Sequence, residues 1–126
     1  MNGIKYLLDT NIVIGLLQRD LIVLEILKNK QIQIGECAYS AITRMELLSF
    51  PSITPTEKES VVFLLSRMKY LTITPAIENE TISFRYTHKT KLPDSIIAAT
   101  TKHHGLELVT LDRKLANKLK SHIQHE

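Results

Sequence analysis

Four carboxylates stand where a charge is costly to place for stability alone. Asp9 interrupts "IKYLLDTNIVIG" (Ile4 to Gly15), an otherwise apolar stretch, and an ionised carboxylate buried there without a partner would cost several kcal/mol. Glu46 lies in "SAITRMELL", Asp94 in "LPDSIIAAT" and Asp112 in "LVTLDRKL". Each also has a local use. Asp9 and Asp112 suit helix N-caps, Thr43 and Glu46 have capping-box spacing, and Asp94 after Leu92 and Pro93 complements a helix dipole. Independent caps have no reason to collect in one place. Carboxylates that do collect repel one another unless a cation neutralises them. Oxygen-only ligands suit Mg²⁺ or Mn²⁺ and need no His or Cys. Phosphate-ester cleavage is the usual use of such a site, because the cation activates water and stabilises both attacking and leaving oxygens.

Whether the acids collect depends on the elements that carry them. "KYLLD" reads as a short buried strand, followed by "NIVIGLL" as the first turns of a helix and the amphipathic "DLIVLEILKN". "ECAYSAI" reads as a second strand, leading into a helix from Thr43 with Glu46 in its first turn. Thr56 and Glu59 repeat that spacing at the start of a helix through "SVVFLLSRM". "YLTIT" alternates as a third strand, and "AIENETISFRYTHK" has helical periodicity after Pro75. Pro93 opens the next helix, Gly105 lies beyond its end, "LELVT" is a fourth strand and "LDRKLANKL" a last helix.

Strand and helix alternate with no hairpin turn between strands, which implies a parallel sheet covered by helices on both faces. Ligand sites in such sheets lie outside the carboxyl ends of the strands. Asp9 directly follows the first strand, Glu46 lies about a turn after the second, and Asp112 closely follows the fourth. Asp94 begins the helix before the fourth strand. If that helix runs antiparallel to the strands, all four acids reach one edge.

The chain of 126 residues is long enough for one core without staples, and 44% hydrophobic with 23% charged residues is ordinary for a globular protein. Its one cysteine, Cys37, excludes an intrachain disulfide and any Cys-rich metal site. The opening residues lead straight into a strand-like run rather than a signal peptide, and no apolar stretch approaches the length of a membrane span. The expected compartment is the cytoplasm. Net charge is only +3, but "RYTHKTK" and "RKLANKLK" are locally basic. Most such stretches are solvated faces; the alternative is a polyanion footprint. On charge alone, Arg85, Lys89, Lys91, Arg113 and Lys114 are the candidate contacts to a phosphate backbone. His103 and His104 are neighbours on a helix, about 100° apart, and so are poor co-ligands.

The motifs "LLDTNIVIG", "SAITRMELL", "LPDSIIAAT" and "LVTLDRKL" resemble, in order, those of PIN-domain ribonucleases, and among these the VapC-type toxins of bacterial and archaeal toxin–antitoxin pairs. They span Ile4 to Leu115. The resemblance implies one PIN-like α/β domain over residues 1–126, with a central, mostly parallel sheet of four to five strands flanked by helices. It implies that Asp9, Glu46, Asp94 and Asp112 hold Mg²⁺ or Mn²⁺ and carry catalysis. Thr110 would sit beside the metal site, and Asn11 would orient the first Asp. The implied activity is metal-dependent endonucleolytic cleavage of RNA that blocks translation. The implied partners are the RNA substrate, a cognate antitoxin and a second copy of the chain. "KSHIQHE" at the end shows little sign of the fifth strand that many relatives carry, so the strand count at that edge stays open.

Other classes remain to be weighed. A PIN nuclease of RNA processing outside toxin–antitoxin pairs shares the same motifs. A phosphatase-like domain would want a second Asp two residues after Asp9, where Asn11 stands; a receiver-like one would want paired acids after the first strand and an Asp after the third. A non-catalytic α/β binding module would leave the four acids as caps.

Overall fold

In the computed structural model, which describes residues 3–124, the first strand shows why both faces of the sheet are covered. β1 (Tyr6–Leu8) sends Leu8 into a cluster with Ile12, Val13, Val23, Leu47, Val61 and Leu65. Leu7 points the opposite way, to Phe84, Ile97, Ala98, Leu115 and Leu119. Side chains alternate across a strand, so two adjacent leucines demand two cores. The next strand, β2 (Cys37–Ser40), repeats the division: Cys37 and Tyr39 join the first cluster and Ala38 the second.

The remaining elements are α1 (Thr10–Leu17), α2 (Leu21–Asn29), a 3-10 turn (Ile34–Glu36), α3 (Ala41–Leu48), α4 (Pro55–Ser66), β3 (Lys69–Leu71), α5 (Pro75–His88), α6 (Leu92–His103), β4 (Glu107–Val109) and α7 (Arg113–Gln124). The sheet order is β3-β2-β1-β4, and every pairing is parallel. Tyr6 lies opposite Cys37 on one side and Glu107 on the other, while Ala38 lies opposite Lys69. The expectation of four to five strands resolves to four: α7 continues as helix to Gln124, and no fifth strand follows β4 among the described residues. No helix among them is long and apolar enough to cross a membrane.

Two helix starts differ from the sequence expectation, each for a local reason. α3 begins at Ala41 and is capped by the Ser40 hydroxyl, which accepts from Ile42 N at 3.2 Å; Thr43 is inside the helix, its hydroxyl engaged elsewhere. α4 begins at Pro55, with Thr54 and Glu57 forming the capping box in place of Thr56 and Glu59. Proline has no N–H to lose and a φ already suited to the first helical position, so it draws the cap upstream. The strands are shorter than their apolar runs. β3 in particular covers Lys69–Leu71 rather than residues 70–74, because Thr74 caps α5 through Ile77 N at 3.2 Å.

Helices α5, α6 and α7 are tied together by polar contacts beneath the second core. Glu80 on α5 bridges to Lys102 on α6, and its other oxygen lies 3.5 Å from His122 Nε2 on α7. His122 Nδ1 in turn meets His88 Nε2 at 3.2 Å.

Gly15 is where the first two helices touch. A Cβ placed there would lie 2.3 Å from Val23 Cγ2 and 2.9 Å from Val23 Cβ. The valine Cβ is fixed to the α2 backbone, so the helices must part. Gly15→Ala should therefore lower stability by about 1–2 kcal/mol, overpacking outweighing the roughly 1 kcal/mol of helix propensity gained. Urea unfolding would show it, and adding Val23→Ala should give a double variant less destabilised than the sum of the two.

Candidate functional site

Because all four strands are parallel, their carboxyl ends share one edge of the sheet. The order changes direction beside β1: β2 and β3 are added on one side, and β4 crosses back to the other. Crevices at such reversals are where open α/β sheets bind ligands. Asp9 leaves β1 there, and Thr110 and Asp112 leave β4 next to it.

Asp9 is 7% exposed. Its backbone N–H donates to Val109 O at 3.0 Å, which extends the β1–β4 ladder by one step. One carboxylate oxygen accepts from Thr10 N at 2.7 Å and caps α1; the other accepts from the Thr110 hydroxyl, also at 2.7 Å. The same Thr110 oxygen accepts the Asp112 N–H at 3.0 Å, and Asp112 Oδ1 caps α7 by accepting from Leu115 N at 3.0 Å. Thr110 thus sets the spacing between two of the acids. Asn11 has a different task from the one its resemblance implied. Its side-chain oxygen accepts from Leu111 N at 3.3 Å, so it pins the loop after β4, while Thr10 and Thr110 orient Asp9.

Glu46 is exposed on α3 and held from α1: the Thr10 hydroxyl donates to its Oε1 at 2.8 Å. Asp94 occupies the first turn of α6, half-buried. Burial raises the Asp94 carboxyl above its ordinary value, and the negative charges of Asp9 and Asp112 raise it further against Lys91 and Lys118. Burial likewise raises Asp9, opposed by the hydrogen bonds from Thr110 and Thr10 and reinforced by Glu46 and Asp112. Asp9 therefore feels the charges of Glu46 and Asp112, and Asp94 those of Asp9 and Asp112. They share an electrostatic field rather than a closed coordination sphere, since among the described residues no three His, Cys, Asp or Glu side chains are gathered to hold an ion. The donor set is all oxygen, which suits Mg²⁺ or Mn²⁺, and a cation would relieve the repulsion that raises Asp9 and Asp94.

The basic residues separate into two groups. Lys91 immediately precedes α6 and its charge reaches Asp94. Arg113 and Lys114 open α7 beside Asp112, exposed and at the end of a helix where the dipole disfavours cations. Arg85 instead donates through Nε to Thr90 O at 3.2 Å, and Lys89 ends α5 with φ of 52°, so both shape the turn into α6. Lys118 was not singled out in the sequence, yet it acts electrostatically on Asp94. Its spacing was the available sign: it shares a helix face with the buried Leu115 and His122. Neither Thr10 nor Thr43 stood out in the sequence for more than a place near a helix start, because a hydroxyl carries no charge pattern.

Next to Thr10 and Glu46 lies a groove of about 710 Å³. Ile14, Leu17, Phe50, Ile53 and Val61 are among its lining residues, and Phe50 is 62% exposed.

Comparison with known proteins agrees with this architecture. The PIN-domain family model matches residues 6–119, and the chain belongs to the PIN-domain family. That is a family of nucleases. A toxin–antitoxin complex from Klebsiella pneumoniae contains a chain 31% identical to this one, with a TM-score of 0.76, covering 87% of this chain and 88% of that one. FitAcB from Neisseria gonorrhoeae is 25% identical, with a TM-score of 0.71 over 91% of this chain and 93% of that one. VapBC2 from Rickettsia felis, bound to a DNA fragment from its promoter, shares the fold at 18% identity and a TM-score of 0.74, over 90% of this chain and 92% of that one. No curated protein matches.

The raised carboxyls give the metal-free protein a pH dependence. An acid whose folded pKa lies above its unfolded value stabilises the fold fully below the unfolded pKa, and that contribution is lost as pH rises through the folded one. Asp94 forms no hydrogen bond that asparagine would forfeit among the described contacts. In chelator, the stability of Asp94→Asn relative to wild type should therefore improve between pH 4 and pH 7, by up to about 1 kcal/mol after screening of this half-buried group. Denaturant titrations at the two pH values would measure the difference.

Proposed function

We propose that this protein is a Mg²⁺- or Mn²⁺-dependent endoribonuclease and the toxin of a toxin–antitoxin pair. The observation that supports the reading is the raised carboxyl of Asp9, on which the charges of Glu46 and Asp112 act, together with that of Asp94, on which the charges of Asp9 and Asp112 act. Acids that raise one another's carboxyls destabilise an empty site, and a divalent cation would offset that cost.

In this reading Asp9, Asp94 and Asp112 hold the metal, and Glu46 ligates it or positions water as a base. A bound divalent ion supplies a Lewis acid at the scissile phosphate and a lowered pKa for attacking water. The chain supplies the placement. Thr110 and the Thr10 N–H hold Asp9 with both oxygens committed to hydrogen bonds, so its charge stays fixed at the end of β1. Thr10 gives Glu46 a defined position despite its exposure. Lys91, Arg113 and Lys114 surround the acids from the starts of α6 and α7. There they receive a phosphate backbone that the carboxylates alone would repel. Arg85 and Lys89 contribute at most at the margin, since their local role is the turn between α5 and α6.

A protein partner is supported by the resemblance to the chain in the Klebsiella complex and by the groove beside Glu46. Exposed Phe50 and Ile14 offer apolar anchorage to a segment reaching towards the acids. That segment is assigned to the antitoxin.

Purified wild type should cleave RNA with Mg²⁺ or Mn²⁺ and stop when chelator is added. Asp94→Asn should keep the fold and lose cleavage by at least about a hundredfold, the scale of removing one electrostatic stabiliser. Cleavage near the wild-type rate by Asp94→Asn, with contaminating nuclease excluded, would sink the assignment. In cells, expression of wild type alone should arrest growth, and co-expression of the adjacent small protein should relieve the arrest. Growth and translation untouched by wild type would remove the toxin role and leave the nuclease.

A further inference from the structure

Thr43 lies inside α3 with no exposed surface, one helical turn before Glu46. Its hydroxyl oxygen is 2.9 Å from that of Thr10, across the α1–α3 contact. The Thr10 hydroxyl donates to Glu46 Oε1 at 2.8 Å. A threonine hydroxyl has one hydrogen. With that of Thr10 committed to the carboxylate, only Thr43 can supply the proton between the two hydroxyls. The direction of the chain is therefore fixed, from Thr43 to Thr10 to Glu46.

We infer that Thr43 is a positioning residue for Glu46, acting through Thr10 to hold an exposed carboxylate towards Asp9. The inference rests on the reading of Glu46 as a metal-site residue, and it adds a buried residue whose spacing to Glu46 marked it only for capping. Three features favour it over a purely structural hydroxyl. Thr43 does not cap its own helix, a task taken by Ser40. Its hydrogen-bond partner belongs to α1, and beyond that partner the chain ends on a carboxylate rather than on the backbone. Thr81, Thr100 and Thr101, the other helical threonines buried in this fold, instead donate to the carbonyl four residues earlier at 2.7, 2.7 and 2.8 Å. A charge-directed hydrogen bond is roughly twice as strong as a neutral one, and a donor that itself accepts is strengthened further. The buried end of the relay thus limits the rotamers of an exposed side chain at its other end.

The test uses Thr43→Val, which keeps the shape and removes the proton, and Thr43→Ser, which restores the proton. Two readouts are needed. Side-chain ¹³C relaxation of Glu46 in chelator reports its order without metal, and calorimetric titration with Mn²⁺ reports affinity. Wild type and Thr43→Ser should show an ordered Glu46 Cγ; in Thr43→Val it should become mobile. Mn²⁺ affinity should fall by about tenfold in Thr43→Val, at the lower end for loss of an outer-shell partner, and return in Thr43→Ser. Cleavage should follow, with kcat reduced and KM for RNA unchanged. Wild-type Glu46 order and Mn²⁺ affinity in Thr43→Val would overturn the relay; Asp9→Asn or Glu46→Gln losing Mn²⁺ in the same series would show that the site itself survives. If wild type binds no Mn²⁺ and Asp9→Asn changes nothing, the reading of the site fails, and the relay's function fails with it.

Discussion

Taking Asp9 almost wholly out of water removes the hydration of its charge, and two hydrogen bonds at 2.7 Å replace that hydration. One comes from the start of α1 and the other from Thr110 at the end of β4. The carboxylate is therefore satisfied only if β1 and β4 lie side by side and α1 turns away at once. The placement of Asp112 follows from that pairing. Thr110, positioned by Asp9, accepts from Asp112 N, and Asp112 then caps α7. Asn11 fastens the intervening loop.

Capping and ligation are often treated as rival explanations for an acid at a helix start. Here Asp9 and Asp112 cap α1 and α7, and they also contribute to the shared negative field. The two roles are compatible because a helix beginning at the carboxyl end of a parallel strand points its positive pole towards the same crevice. A cap uses one carboxylate oxygen with a hydrogen bond. In Asp112 the second oxygen makes none among the described contacts. Asp9 differs in having both oxygens engaged, each by one hydrogen bond.

What was legible in the sequence was what repeats or carries charge. Alternation of strand and helix gave the parallel sheet, and the positions of Asp9, Glu46 and Asp112 after their strands pointed to its carboxyl edge. Strand ends and caps were harder, because two Thr residues stand near the starts of both α4 and α5. Thr54 and Thr56 differ only in which side of Pro55 they occupy. Thr43 and Glu46 have the spacing of a capping box, yet the pair belongs to a helix already under way, and its real connection runs through Thr10 on another element. Such a contact joins residues 33 positions apart and leaves no local trace. Lys118 was hidden for a similar reason: a lysine in a basic helix looks like solvated surface until the packing of α7 on α6 turns it towards Asp94.

The pairing of Tyr6 with Glu107 has a consequence for how the protein is made. β1 leaves the ribosome well before its β4 neighbour. Thr110 reaches Asp9 across 101 positions of chain. Synthesis proceeds at roughly 5–20 residues per second, so β1 waits several seconds for that neighbour. During this interval β2 and β3 can join β1 from the other side, since their connections are complete. The crevice between β1 and β4 does not yet exist. A nascent chain, or one truncated before β4, therefore carries Asp9 and Glu46 without the far wall of the site. The β1–β4 pairing forms only once β4 has emerged, after β1, β2 and β3 have had time to pair.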